Sequence, residues 1–232
     1  MTQFITWLVG LIYATTAHSL AWSVNDPVAP AKPFPRASVR FEQNATDGDV
    51  EVVFEITGRS DGLAKLRVVS PDGRTVVDFD APDASTLGIR QFVFESPEPK
   101  DVAGLKAAYP EGTYTFQGAT ASGGQLHGKA ALKHELPPTT SFVWPKAKAS
   151  NVAIRDLKIV WAPVNGVAGY IVEIEQDELN VKITARLPAI APEFTVPAGF
   201  LRPGTKYLLG LGTVSSGGNI SFVETTFTTA AK

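Results

Sequence analysis

The sequence predicts an all-β chain in which two antiparallel sandwiches follow one another, and three observations lead to this. Apolar residues recur at every second position in many short runs, which is typical of half-buried strands. Turn-forming glycine and proline residues separate these runs at short intervals. No stretch shows the spacing of a long amphipathic helix, and short strands without alternating helices indicate antiparallel sheets. The 232 residues are enough for two domains of about 100 residues each.

The composition excludes several classes of function. Lys and Arg total 21 against 23 Asp and Glu, so the net charge of -2 supplies no basic field for a nucleic acid or an acidic membrane surface. The chain has no cysteine, which rules out thiol catalysis, thiolate metal sites and disulfide bonds. We therefore expect no nucleic-acid partner and no cofactor, and each domain must be stabilised by packing alone.

Residues 1–21 are predicted to be a signal peptide. The apolar run Phe4–Ala14 is uncharged and too short to cross a bilayer core of about 30 Å comfortably. Ser19 and Ala21 are small residues at the positions that signal peptidase favours, so cleavage is expected before Trp22. Because no Lys or Arg precedes the apolar run, an uncleaved anchor stays open as the alternative. Cleavage would leave a periplasmic or secreted protein without a stable membrane span.

Residues 22–36 are predicted to be a proline-rich linker. The segment contains Pro27, Pro30, Pro33 and Pro35. This density of proline blocks a helix or a central strand and favours an extended, semi-rigid spacer. An arm packed along the edge of the first domain is the alternative interpretation.

Residues 37–136 are predicted to form the first sandwich. Within Val50–Ile56 the apolar side chains alternate with Glu51 and Glu55, which is the pattern of a half-buried strand. Pro71-Asp72-Gly73 predicts a hairpin turn, because the proline presets the backbone and the glycine tolerates positive φ. A short helical turn is expected over 101–108.

Residues 137–232 are predicted to form the second sandwich. Pro137 and Pro138 mark the boundary, because consecutive prolines interrupt a strand ladder. Two alternating runs joined by a Pro/Gly turn over 157–175 predict a hairpin in its centre. The expected strands, seven as in an immunoglobulin-like sandwich, are 142–144, 157–161, 170–175, 181–187, 194–196, 206–211 and 222–228.

Residues 140–229 contain a core tryptophan in the strand Lys158–Trp161, a strand that begins at Tyr170, and the segment Leu201–Tyr207. In these features the region resembles a fibronectin type III module. A tyrosine at the start of the sixth strand can bond back to the preceding corner and lock it. The resemblance implies a sandwich fold, no catalytic residues, and use as a spacer or a binding surface.

The first domain contains a fainter copy of the same pattern. Pro110–Tyr114 precedes a strand as Pro203–Tyr207 does, about one domain length later. We therefore interpret residues 37–136 as an Ig-like or fibronectin-like sandwich of related design. The alternative is that Gly and Pro turn chemistry alone produces the five matching positions.

The sequence offers little to support catalysis, so no catalytic residue is assigned. Outside the signal peptide the chain has only His127 and His134, whose odd spacing sends them to opposite faces of a strand. Surface positions are expected for both, and no metal is assigned to them. No nucleophile elbow, phosphate loop or His-Glu-x-x-His motif occurs. An enzyme would instead require a cleft between the domains, lined by one of these histidines and by carboxylates.

Five further features of the chain have more than one explanation. Asp78–Asp83 and Asn44–Asp49 supply oxygen ligands of the kind that calcium takes, but neither has a known calcium-loop spacing and acidic residues also cap turns. The tripeptides starting at Asn44 and Asn219 match the acceptor pattern for Asn-linked glycans and are expected in loops. Trp144 is a candidate for sugar stacking if it is exposed.

The function expected from these observations is that of an exported, non-catalytic interaction or spacer protein of the cell envelope. An envelope or extracellular protein is the expected partner, and the sequence does not identify its binding residues. A carbohydrate-binding module is the alternative, with a glycan as ligand and a planar set of exposed aromatic side chains that includes Trp144. Fold alone does not decide between these, because sandwiches carry many unrelated functions.

Overall fold

The computed structural model describes residues 30–81, 83, 87–97, 99 and 101–231. The predicted signal peptide over 1–21 and residues 22–29 of the predicted linker lie outside these ranges. Within them, the structure is almost entirely strand, with one short helix.

The first sandwich consists of eight strands and the helix. In chain order these are β1 (Lys32–Pro33), β2 (Arg36–Asn44), β3 (Asp49–Thr57), β4 (Leu63–Val69), β5 (Thr75–Asp80), β6 (Gln91–Glu95), α1 (Val102–Ala108), β7 (Gly112–Thr120) and β8 (Gln125–Leu132). One sheet has the order β1-β8-β7-β4-β5, and β2, β3 and β6 form the sheet that faces it. The predicted hairpin at Pro71–Gly73 is confirmed, since β4 pairs antiparallel with β5.

The second sandwich consists of eight further strands. They are β9 (Phe142–Trp144), β10 (Ala149–Val152), β11 (Lys158–Trp161), β12 (Gly169–Gln176), β13 (Val181–Pro188), β14 (Glu193–Thr195), β15 (Lys206–Val214) and β16 (Ile220–Thr229). One sheet runs β13-β12-β15-β16, with β10 added in parallel at the end of β16, and the facing sheet runs β14-β11-β9. Each of the seven predicted strands has a counterpart, and β10 was not predicted.

Each sandwich has its own hydrophobic core between its two sheets. The first core is centred on Phe41, Phe54, Tyr114 and Phe116, and no residue of the second sandwich belongs to it. The second is centred on the aromatic side chains Trp161, Tyr170, Tyr207 and Phe227. The predicted all-β fold of two tandem sandwiches is therefore confirmed, while a domain division between residues 136 and 137 stays a prediction.

A tyrosine near the start of one strand locks the preceding corner in each sandwich. In the second, the hydroxyl of Tyr207 accepts a hydrogen bond of 2.9 Å from the backbone N–H of Arg202. In the first, the hydroxyl of Tyr114 donates to the carbonyl oxygen of Pro110 over 3.1 Å. Both tyrosine side chains are fully buried, which holds each hydroxyl in place at its corner. The equivalence of the two segments that the sequence predicts is thus present in the fold.

The predicted hairpin over 157–175 is wrong. β11 pairs with β9 and β14, whereas β12 pairs with β13 and β15, so the two strands belong to opposite sheets. The rings of Trp161 and Tyr170 meet across the core, with their centroids 5.2 Å apart. The buried faces of both strands were predicted correctly. The alternation does not reveal how the strands pair, because two apolar faces can meet across opposing sheets or lie side by side in one sheet. The intervening segment is long enough to cross the roughly 10 Å between sheets.

The described end of the predicted linker forms an edge arm rather than a free spacer. Lys32 and Pro33 pair in parallel with Leu126 and His127 of β8. Phe34 is buried in the first core, where its ring lies over Gly118 of β7; a Cβ there would be 2.8 Å from the ring. The arm is therefore anchored by an aromatic side chain that periodicity over so short a segment does not reveal.

Replacing Tyr207 by phenylalanine should destabilise the second sandwich by about 0.5–1.5 kcal/mol, because the N–H of Arg202 loses the hydroxyl that accepts its hydrogen bond. Urea unfolding followed by tryptophan fluorescence measures this loss. Tyr109→Phe is the control, since the Tyr109 hydroxyl makes no hydrogen bond within the described residues. An equal loss in both variants would mean that the corner bond contributes nothing specific.

Candidate functional site

The two sandwiches are joined by a pair of parallel strands, which we call the seam. It consists of Glu42–Asn44 of β2 and Ile220–Phe222 of β16, paired residue by residue in that order. The backbone N–H of Ala45 extends the pairing by donating to the carbonyl oxygen of Phe222 over 2.8 Å. A single eight-stranded sheet therefore runs from β13 of the second sandwich to β6 of the first.

Asn219 fastens three separate segments beside the seam. Its Oδ1 accepts a hydrogen bond of 2.9 Å from the backbone N–H of Phe41 in β2. Its Nδ2 donates to the carbonyl oxygens of Lys133 and Glu135, over 2.7 and 2.8 Å. The residue is only 4% exposed, so these bonds form away from water. One side chain thus connects the second sandwich to β2 and to the connecting segment, residues 133–141 between β8 and β9.

The hydroxyl groups of Ser221 and Thr213 hold the rest of the connecting segment. Ser221 donates to the carbonyl oxygen of Pro137, and Thr213 donates to that of Pro138, each over 2.7 Å. Ser221 also accepts a hydrogen bond of 2.9 Å from the Nε2 of Gln43 in β2. Proline has no backbone N–H to pair, so these two carbonyl oxygens are the polar backbone groups that need partners. The predicted boundary between the domains is therefore fixed in place at its prolines.

The turn between β2 and β3 reaches back across the seam. The hydroxyl oxygen of Thr46 accepts a hydrogen bond of 2.6 Å from the backbone N–H of Glu224 in β16. Each sandwich therefore contributes side chains that satisfy backbone groups of the other, Asn219 from the second and Thr46 from the first. Satisfying backbone groups from both sides disfavours a hinge at this point.

An acidic groove of about 190 Å³ lies on the outer face of the shared sheet, across the seam. Its carboxylates come from both sandwiches: Glu42, Asp49, Glu51, Glu173 and Glu224. The remaining lining residues are Gln43, Asn44 and Phe222. The Phe222 ring lies over Gly212 of the neighbouring strand, where a Cβ would be 2.9 Å from the ring. The glycine thus lets an aromatic side chain cover the sheet beside the groove.

Glu51 is the carboxylate in this groove whose ionisation is most perturbed. Burial is the largest cause that raises its pKa, to about 7. Further increases come, in decreasing order, from the negative charges of Glu42, Glu95 and Asp49. Arg40 acts in the opposite direction and lowers the pKa of Glu51. Part of the groove's negative charge is therefore absent below neutral pH.

The structure does not bring the two candidate histidines into one cleft. His127 is exposed on β8, in agreement with its predicted surface position. His134 was expected on the surface and is not: its side chain is 13% exposed, its Nε2 lies 2.8 Å from the carbonyl oxygen of Tyr109, and its ring packs on Phe41. A pocket of about 460 Å³ at the junction includes neither histidine in its lining. The arrangement predicted for an enzyme is not formed by these residues.

The two loops considered for calcium use their acidic side chains locally. Asp47 accepts a hydrogen bond of 3.1 Å from the backbone N–H of Asp49, and Asn44 accepts one of 3.0 Å from that of Thr46. Asp80 forms a salt bridge of 3.1 Å with Lys65 of the neighbouring strand. Within the described part of the chain, no three metal-ligating side chains converge on one point. Turn capping accounts for the first loop and cross-strand pairing for part of the second.

Trp144 is 46% exposed, on the outer face of the sheet that contains β9. The pairing of β9 with β11 is irregular in register at this point, and the neighbouring residue Val143 is also exposed. Among the described residues, no other aromatic side chain is a large exposed hydrophobic group. The planar set of aromatic side chains that a sugar-binding face would present is thus reduced to one tryptophan.

Within the described part of the chain, no helix has the length and apolar character needed to span a membrane.

Comparison with known proteins finds similarity at the level of structure. No protein-family model and no curated protein matches the chain. The fibronectin(III)-like modules of CbhA from Clostridium thermocellum are 11% identical, with a TM-score of 0.33 over 87% of this chain and 92% of that one. A two-domain fibronectin type III segment of chicken tenascin is 13% identical, with a TM-score of 0.31 over 82% and 97%. The sandwich fold that the resemblance over residues 140–229 implies is confirmed by the two sheets and the core of β9–β16.

Replacing Asn219 by aspartate should weaken the junction. The aspartate can still accept the Phe41 N–H, but it places a carboxylate oxygen against the two carbonyl oxygens that Nδ2 now serves. We expect a loss of at least about 2 kcal/mol in the free energy of unfolding, and faster hydrogen exchange of the Phe41 amide. Asn165→Asp, at an exposed turn, is the matched control. Unchanged exchange at Phe41 would contradict the role given to Asn219.

The raised pKa of Glu51 predicts that the stability of the fold depends on pH. Its folded-state pKa of about 7 lies above the ordinary value of 4.5, so the folded state holds an extra proton between these values. The stabilising contribution is complete below pH 4.5 and is lost as the pH rises through 7. Glu51→Gln should therefore raise the unfolding midpoint at pH 8 relative to wild type, with little change at pH 5. Chemical unfolding at both values tests this, with the exposed Glu178→Gln as control; a parallel shift at both values would contradict it.

Proposed function

We propose that this chain is an exported, non-catalytic interaction or spacer protein of the cell envelope, whose two sandwiches act as one rigid body. The observation that carries the proposal is the seam, because it makes one sheet out of strands from both sandwiches. A flexible tandem would have left the facing edges of β2 and β16 unpaired. A continuous sheet holds the surfaces of the two sandwiches at a fixed separation and angle.

A rigid pair of sandwiches suits a spacer and also suits a binding partner that contacts both. Spacers made of flexible linkers vary in length, whereas a pair fixed by backbone hydrogen bonds does not. For a protein that contacts both sandwiches, fixing them in advance reduces the entropy lost on binding. The outer face of the shared sheet offers such a continuous surface. The proposal therefore includes an envelope or extracellular protein as the partner.

Export rests on the amino-acid sequence. The uncharged apolar run Phe4–Ala14 and the small residues Ser19 and Ala21 support a cleaved signal peptide over residues 1–21. A chain without cysteine needs no oxidative step after export. The proposed location of the mature protein is periplasmic or secreted.

Carbohydrate binding is the second candidate function, and the exposure of Trp144 is the observation that favours it. One exposed ring can stack on a sugar, but a single ring gives weak binding. If this candidate holds, the chain should bind envelope glycans on an array, and Trp144→Ala should abolish that binding. Val143→Ala is the matched control, because Val143 is exposed beside it without an aromatic ring.

The experiment that tests the proposal uses the full chain with a carboxy-terminal tag in its native cell. Amino-terminal sequencing of the exported protein should begin at Trp22, and crosslinking in the intact envelope should recover a reproducible protein partner. A cysteine-free sandwich protein exported with the same leader is the control. An unprocessed chain in the cytoplasm would contradict export. Recovery of glycan alone, or of no more than the control recovers, would contradict the interaction role.

A further inference from the structure

Two acceptor tripeptides for Asn-linked glycans lie on opposite sides of the seam, one starting at Asn44 and the other at Asn219. In this modification, Nδ2 of asparagine attacks the anomeric carbon of a sugar carried on a polyprenyl pyrophosphate. The nitrogen–carbon bond forms, the bond from the sugar to the pyrophosphate oxygen breaks, and Nδ2 loses one proton as polyprenyl pyrophosphate leaves. The acceptor nitrogen must therefore give up an N–H and have open space for a sugar.

Asn219 meets neither requirement in the folded protein. Both N–H groups of its Nδ2 are used, one by the carbonyl oxygen of Lys133 and the other by that of Glu135. The residue is buried, and Ser221 of the same tripeptide donates its hydroxyl to the carbonyl oxygen of Pro137. Attaching a sugar would break at least one of these bonds and push the connecting segment away. The tripeptide was expected in a loop: Asn219 does lie in the turn before β16, whereas Ile220 and Ser221 belong to β16, and all three residues are buried.

Asn44 is in a different environment. It is the last residue of β2, at the base of a turn whose residues 45–48 are all exposed. Within the described ranges, its Nδ2 makes one hydrogen bond, a long one of 3.4 Å to the carboxylate of Asp47. Thr46 accepts a hydrogen bond at its hydroxyl oxygen but keeps its own O–H free to donate. A sugar on Asn44 would extend into solvent at the rim of the acidic groove.

We infer that Asn44 is the acceptor site for an Asn-linked glycan in the folded protein, and that Asn219 is closed to modification because it fastens the junction. The substrate class is a polyprenyl-pyrophosphate oligosaccharide. A consequence is that formation of the junction and modification at Asn219 exclude one another. Any sugar on Asn219 has to be attached before the second sandwich docks on the first.

The test incubates the folded full chain with a single-subunit oligosaccharyltransferase that accepts Asn-x-Ser/Thr, together with its polyprenyl-pyrophosphate oligosaccharide. Intact-mass and glycopeptide mass spectrometry should show a single added glycan, located on Asn44. Asn44→Gln should lose the added mass completely. Synthetic peptides spanning 40–50 and 214–226 should both accept the glycan, because neither is held in the junction.

Two results would overturn the inference. A glycan on Asn219 of folded protein whose Phe41 amide stays protected from exchange would show that the site is open. An unmodified Asn44 in folded protein, when the 40–50 peptide is modified, would show that this site is closed as well.

Discussion

The parallel pairing of β2 with β16 builds one sheet from strands of both sandwiches. It joins an early strand of the first sandwich to the last strand of the second, so their facing edges satisfy one another. Asn219 makes the arrangement specific, because its amide offers one acceptor and two donors to three backbone groups that have no other place in a sheet ladder. Loss of this side chain would leave buried backbone groups without partners.

The strands and their buried faces could be predicted from the sequence because period-two alternation is a local signal. Val50, Val52, Phe54 and Ile56 alternate because one face of β3 lies on the core. Which strands pair is a different question. The runs around Trp161 and Tyr170 are equally well explained by one sheet or by two, and only the packing of the whole domain decides.

The junction could not be predicted because its signals are single polar residues. Asn219 and Thr46 belong to tripeptides that match a glycosylation pattern, and nothing local shows that their side chains serve distant backbone groups. The acidic groove could not be predicted either, because its carboxylates lie on strands of both sandwiches and converge only through the seam. The seven strands predicted over residues 137–232 were enough to infer the fold of the second sandwich. They gave no information on how this sandwich contacts the first.

The two sandwiches are proposed to move as one rigid body, and a distance measured across the junction tests this. The chain has no cysteine, so Lys129→Cys and Asp177→Cys place one spin label on an exposed position of each sandwich. Pulsed dipolar spectroscopy should give a single narrow distance distribution, which broadens when Asn219→Asp is added. A broad distribution in the protein with Asn219 intact would show that the two sandwiches move independently of one another.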